Sequence, residues 1–514
     1  MGEQLALLPS LLTAHVQLVL AALLAGTAIA VPAGILVTRV KRLEAPVLAA
    51  AALVQTIPAL ALLAVMVPLL AALGLPGIGW LPALLGLVLY SLLPILRNTV
   101  TGLAGLDPAM IEAARGVGMT PGQQLRLVEL PLALPVILAG VRTATVWTVG
   151  MATLSTPVGA PSLGNYIFGG LQTRNLDAVL VGCVSAAALA LVLDGLVLAV
   201  ARGYGERRPW LKRVGGAGLL GLLAWAVAAL PGAGPAERPV RIGAKPFTEQ
   251  AVLAEILAAK VRGATGSPAE VVSSLGSAVA FDALARGEID AYVDYTGTIW
   301  ATLMKRPGAG PGRGALLDEV RLWLAETHGM RLIARLGFEN TYAFALRRER
   351  ADALGVRTLS GLVPFARRLR AAGDYEIWGR GEWASVRRTY GIDFAERRSM
   401  DPSLMYAAIA AGQVDVITAY SSDGRIAAYD LVTLEDDRGA IPPYDAVVLA
   451  SRSFARRRPD AVAALSSLDG TIDVARMRGL NREVDEAGRS PKAVAAEFLG
   501  PPASRPTTAI PPPP

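Results

Sequence analysis

Cysteine is nearly absent from this chain. Cys183 stands alone among 514 residues, so neither an internal disulfide nor a cysteine-built metal site is available. Histidine is almost as scarce, and His15 with His328 cannot form a histidine metal cluster. No Gly-x-x-x-x-Gly-Lys-Ser/Thr loop occurs, so the chain cannot hold ATP in that manner. Nucleophile elbows and His-centred dyads are missing too, and Asp436-Asp437 reads as a solvated turn. These absences point away from an enzyme and leave no cofactor or metal to expect. The net charge of +7 comes from cations spread along the chain, with no basic block interleaved with aromatics, which argues against a nucleic-acid partner.

What is present divides in two. Residues 1–235 hold long apolar runs with charges confined to short gaps, whereas 236–505 carry the charge density of a soluble domain. A Pro/Gly/Ala stretch near Pro231–Pro239 separates them as a linker. About 20 apolar residues cross a bilayer core, and six segments are read as spans: Thr13–Thr38, Val47–Leu73, Ile78–Leu96, Leu132–Val158, Ala178–Ala201 and Gly215–Leu230. Arg39, Lys41 and Arg42 follow the first, which places that connection in the cytoplasm and the N-terminus outside. The next cytoplasmic segments hold Arg97, Arg115 and Arg126, then Arg202, Arg207, Arg208, Lys212 and Arg213, against one outer-loop cation, Arg174. A sixth span then delivers everything after Pro231 to the outside.

The expected plan is therefore multi-domain. A polytopic all-α membrane domain occupies 1–213 with a cytoplasmic loop at about 97–131, and 214–238 supplies the sixth span and linker. A two-lobed α/β domain fills 239–502, and a disordered proline-rich tail closes the chain at 503–514.

The loop contains Glu112-Ala113-Ala114-Arg115-Gly116-Val117-Gly118 and then Leu130-Pro131. Small residues around one carboxylate let a short helix seat in a groove of another protein, with glycine permitting the turn that ends it. Together with Arg97–Leu103 before it and Pro157–Gly164 after the next span, this resembles the coupling loop of ABC-importer permeases. The resemblance implies the type I importer fold, a separate ABC ATPase docked on Glu112, Ala113, Ala114 and Gly118, and two permease copies around one pathway.

The soluble part repeats itself. Phe281–Thr298 aligns without gaps on Tyr406–Asp423 at a constant shift of 125 residues. Each copy reads as a helix stopped by glycine, Gly287 or Gly412, then a strand ending at a tyrosine, Tyr295 or Tyr420. One copy per lobe makes the two tyrosines face one another across a cleft.

Ile242–Gln250, Asp294–Thr298, Asn340–Ala343 and Ala419–Gly424 are similar to successive signatures of the osmoprotectant receptors for glycine betaine, carnitine or choline. That resemblance implies a type II binding-protein fold, with a tyrosine box of Tyr295, Tyr342, Tyr420 and Tyr444 around a trimethylammonium head. A quaternary nitrogen has no N–H to donate and carries its charge on methyl groups, so aromatic faces attract it by about 0.5–2 kcal/mol per ring. Lys245 and Thr298 match carboxylate-binding positions, and Arg380 and Arg387 both compete for the arginine that joins them. Asn340 stands where betaine binders often have Asp, which opens the ligand to ergothioneine, carnitine or choline.

The implied whole is a multi-pass protein of the bacterial cytoplasmic membrane with its receptor outside. The rival reading is a membrane-anchored ligand sensor that transports nothing.

Overall fold

The computed structural model describes residues 2–172, 175–206, 208–230, 238–306, 310 and 312–500. The expected tail, most of the linker, Arg174 and Arg207 lie outside them. The chain divides into two compact units, one made of Met1–Leu171 with Leu176–Pro235 and the other running from Ala236 onward.

The first unit is helical. Five helical stretches are long and apolar enough to cross a membrane: Leu7–Arg39, Trp80–Ala104, Pro121–Val158, Leu176–Gly205 and Pro209–Ala228. The expected span Val47–Leu73 departs from a single rod, because Lys41–Thr56 and Ala59–Ala72 meet at a bend of 100°. Its cause is Pro58, which disfavours helical backbone at the residue before it. Ile57 and Pro58 are accordingly extended, with ψ of 127° and 135°. The neighbouring helix repairs the break: Tyr90 donates its hydroxyl to the Ile57 carbonyl, while Gln55 Nε2 donates to the Tyr90 carbonyl at 3.1 Å. Elsewhere the helices approach through small residues, as membrane helices do. A Cβ on Gly26 would lie 1.9 Å from Ser91 Oγ, and one on Gly140 would lie 2.6 Å from the Pro94 carbonyl.

The coupling segment forms helix Pro108–Gly116. Asp107 caps it by accepting from the Ala109 amide at 2.9 Å, and Pro108 occupies its first turn. Glu112 and Ala113 are exposed and Ala114 is buried, while Gly118 takes φ +79° in the turn beyond. A π-bulge at Leu125–Glu129 leads into the next span. There the buried Glu129 accepts from Arg39 and from Gln124, and Arg115 reaches Gln124 at 3.4 Å. Side chains thereby link helix Pro108–Gly116 to the C-terminal end of the first helix.

The second unit contains two five-stranded sheets. One has the order β2-β1-β3-β10-β4 and the other β7-β6-β8-β5-β9. The strands of the first are β1 Val240–Gly243, β2 Ala269–Val272, β3 Ala291–Tyr295, β4 Arg331–Glu339 and β10 Asp445–Ala450. Those of the second are β5 Tyr342–Arg347, β6 Arg370–Gly373, β7 Glu396–Ser399, β8 Val416–Tyr420 and β9 Leu431–Thr433. In each sheet three parallel strands are followed by an antiparallel one.

The sequence repeat is a repeat of structure. Helices Ser277–Ala285 and Pro402–Ala410 are followed by Gly287 and Gly412, at φ +70° and +68°, a conformation that glycine adopts without strain. Asp290 Oδ2 accepts from the Arg241 amide at 2.9 Å, and Asp415 Oδ2 accepts from the Arg370 amide at the same distance. The chain passes between lobes twice, at Glu339–Tyr342 and at Thr433–Asp445, and the Asn340 amide donates to the Tyr444 carbonyl at 3.0 Å where the crossings meet.

Candidate ligand site between the lobes

Strands β3 and β8 both end at a tyrosine, and the antiparallel partner of Tyr420 is Tyr342, the first residue of β5. This register sets the two rings 5.0 Å apart, tilted by 41°. Tyr444, just before β10, stands edge-on to Tyr342 at 6.1 Å. Tyr295 and Tyr420 do not meet directly as the repeat suggested. Phe247 is inserted between them, stacking on Tyr420 at 6.0 Å and on Tyr295 at 6.4 Å.

These rings wall a cavity of about 210 Å³. Lys245, Thr298, Asn340 and Arg380 line it as well, so all eight residues expected to bind ligand border one space. Arg387 does not; it is half-exposed on the surface, 4.0 Å from Asp393. Of the two arginines, only Arg380 borders the cavity.

Each phenol has a carboxylate behind it. Tyr295 donates to Glu249 at 2.5 Å, Tyr342 and Tyr420 donate to Asp374 Oδ2 at 2.8 and 2.6 Å, and Tyr444 donates to Glu382. Burial first, with nearby negative groups adding to it, holds all four hydroxyls far above their usual titration range, so the rings stay neutral. A phenol that donates to an anion gains electron density on its ring, which strengthens its attraction for a cation.

Charges of both signs flank the rings. Buried Lys245 pairs with Asp294 at 2.5 Å, its ammonium 5.4 Å from the Tyr295 ring centre. The Arg380 guanidinium lies 5.3 Å from the Tyr342 centre and is held by Glu382 at 2.8 Å and Glu376 at 2.9 Å. Asn340 Nδ2 donates to Glu249 at 2.9 Å, leaving its Oδ1 buried without a hydrogen-bond partner. The cavity thus sets electron-rich aromatic faces beside two buried cations, each paired with carboxylates of the chain.

Sequence reasoning assigned no part to Phe247, Glu249, Asp374 or Glu382. A usable signal existed for the carboxylates: four buried phenols each demand an acceptor. Nothing in the spacing says which carboxylate answers.

A receptor fold with its cleft walled by aromatics, on a chain that also carries a polytopic helical unit with a coupling helix, defines the receptor-and-permease class of ABC importers. Residues 238–500 match the family described as the substrate binding domain of ABC-type glycine betaine transport systems. Residues 26–208 match the inner membrane component of binding-protein-dependent transport systems. This chain belongs to the glycine betaine-type ABC transport family, as a permease fused to its substrate-binding domain. It is 29% identical over 460 residues to an ergothioneine transport permease/ergothioneine binding protein of Helicobacter pylori (strain G27), covering 86% of this chain and 81% of that one. A choline transport system permease protein of Bacillus subtilis (strain 168) is 45% identical over 187 residues, 36% of this chain and 83% of that one. Among solved structures, a glycine betaine/carnitine/choline ABC transporter is 31% identical, with a TM-score of 0.45 over 51% of this chain and 97% of that one. Membership in this family implies a partner ATPase and a small-molecule ligand.

Proposed function

We propose that the chain is the permease and receptor subunit of an importer for a betaine, a zwitterion joining a trimethylammonium head to a carboxylate. One observation carries this reading: four tyrosines, each backed by a carboxylate, share a cavity with Lys245 and Arg380. The rings take the methylated head, and Lys245, Thr298 and Arg380 take the carboxylate. Arg380 is the arginine of the site. Lys245 serves by releasing part of its hold on Asp294 as the ligand's carboxylate arrives. Glycine betaine, carnitine and ergothioneine share both groups, whereas choline lacks the anion that these cations call for.

The receptor lies on the extracytoplasmic side, the coupling helix docks a separate ATPase, and two copies of the chain enclose the pathway. Lobe closure about the crossings at Tyr342–Ala343 and Tyr444–Asp445 signals occupancy. Ergothioneine is the second ligand reading. It rests on the Helicobacter relative, whose likeness runs through both units, and on the neutral amide of Asn340.

A thermal-shift screen of the purified chain against glycine betaine, carnitine, ergothioneine, proline betaine and choline tests the proposal. Betaines raise the unfolding midpoint more than choline at equal concentration. A shift by none of them contradicts the cage, and a preference for choline contradicts the carboxylate assignment.

A further inference from the structure

In the helical unit, charged side chains cluster near the ends of the spans. Two exceptions stand out among the described residues: Arg142 in helix Leu130–Ala152 and Asp194 in helix Leu176–Gly205. Arg142 lies twelve residues beyond Leu130, and Asp194 lies eleven before Gly205. At 1.5 Å per residue these are depths of about 18 and 16 Å from the ends that the charge pattern places in the cytoplasm. Both side chains therefore sit near the middle of a hydrocarbon core about 30 Å thick.

They meet there in a bidentate pair. Arg142 Nε donates to Asp194 Oδ1 and Nη2 donates to Oδ2, each at 2.9 Å. The pair is not sealed inside the unit, because Arg142 is 32% exposed and Asp194 24% exposed. Arg142 Nη1 has no partner among the described residues, and a Cβ on the adjoining Gly195 would meet nothing within 4 Å. An ionised group facing lipid at this depth costs about 2.5–3.5 kcal/mol on insertion scales, and such groups face a water-filled path or a partner helix instead.

We infer that the Arg142–Asp194 pair lines the solute pathway and forms a mid-membrane station for a zwitterion, an inference that rests on the betaine reading above. The carboxylate of the solute engages Arg142, and its quaternary nitrogen stands against Asp194. One ion pair opens and two form between the same kinds of charge, so the net charge of the path is unchanged. The exchange is close to balanced, as a station that must both accept and release requires. A cation without a carboxylate leaves Arg142 unpaired and is disfavoured at the same place.

Two measurements on the full chain in membranes test this. In a Cys183→Ala background, Gly195→Cys leaves the ion pair intact, and Arg142→Met with Asp194→Cys replaces it by a reporter. A membrane-impermeant cationic methanethiosulfonate modifies both thiols if the pair faces water. Failure to modify either, with full labelling after denaturation, overturns the inference whether or not betaine is the solute. The second measurement uses Arg142→Met with Asp194→Leu, since a merely structural pair is often replaced by apolar residues without loss. Uptake of radiolabelled glycine betaine falls at least tenfold while its affinity for the receptor unit is kept. Unchanged uptake assigns the pair to packing and sinks the station. A wild-type chain that neither binds nor imports glycine betaine, carnitine or ergothioneine refutes the betaine reading alone, and the labelling result still decides the pathway.

Discussion

Asp374 shows how much of the cage depends on a residue that carries no signature. Its Oδ2 accepts from Tyr342 and Tyr420, and its Oδ1 accepts from the Glu376 and Ile377 amides at 2.9 and 2.7 Å, which fixes the carboxylate. Asp374→Ala removes the acceptor of two buried phenols, each left at a cost of about 1–3 kcal/mol. Glycine betaine affinity then drops at least tenfold by calorimetry on the purified chain, and unchanged affinity removes Asp374 from the site. The tyrosines were legible because the repeat and the motifs fix their positions. Asp374 was not, since its role arises only when the end of β6 is carried against β5 and β8 by the sheet.

Glu249 gives a pH-dependent prediction. It is buried and accepts from Tyr295, Asn340, Asn481 and Ser422, tying both lobes to one carboxylate. Burial raises its carboxyl above the ordinary 4.5, and the four donors oppose that without overcoming it. The folded chain thus holds this proton more tightly than the unfolded chain. Its contribution to stability is present below 4.5 and is lost as pH rises through the raised value. Glu249→Gln removes the slope, so the unfolding midpoint of the variant minus that of wild type increases as pH rises above 4.5. A difference that is flat or falls with pH contradicts this account.

At the scale of elements, the coupling helix illustrates what composition conveys and what it omits. Its end was readable from Gly116 and Gly118, whereas its start at Asp107-Pro108 is known from the capping hydrogen bond. Its anchorage through Glu129, Gln124 and Arg39 was not readable, because Arg39 reaches Glu129 from the first helix, 90 residues away in the chain. Glu112 is exposed on a helix whose Ala114 is buried, as the proposed docking of a partner requires. Glu112→Lys reduces uptake at least tenfold while leaving ligand affinity within twofold of wild type; equal losses in both indicate misfolding rather than failed docking. The second span offers the converse lesson. Hydropathy finds Val47–Leu73 as one run, since Pro58 is itself apolar, and only backbone sterics turn it by 100°.

For the whole molecule, the chain joins two kinds of physics. In the helical unit, charge placement and small residues organise the helices. In the receptor, two copies of one helix–strand design meet over a cavity, and the crossings between them supply Asn340, Tyr342 and Tyr444. The division was legible from composition alone, and the repeat announced two lobes. Phe247 between Tyr295 and Tyr420 was not anticipated, because the repeat has no counterpart for it.

Uptake is the most direct test of the central claim. Cells expressing the full chain with its partner ATPase, with that ATPase inactivated, or with Tyr342→Ala are supplied with radiolabelled glycine betaine and, separately, ergothioneine. The account predicts accumulation of at least one of them, abolished without ATP hydrolysis and reduced at least tenfold by Tyr342→Ala. Accumulation of neither, or accumulation indifferent to the ATPase and to the tyrosine, contradicts it.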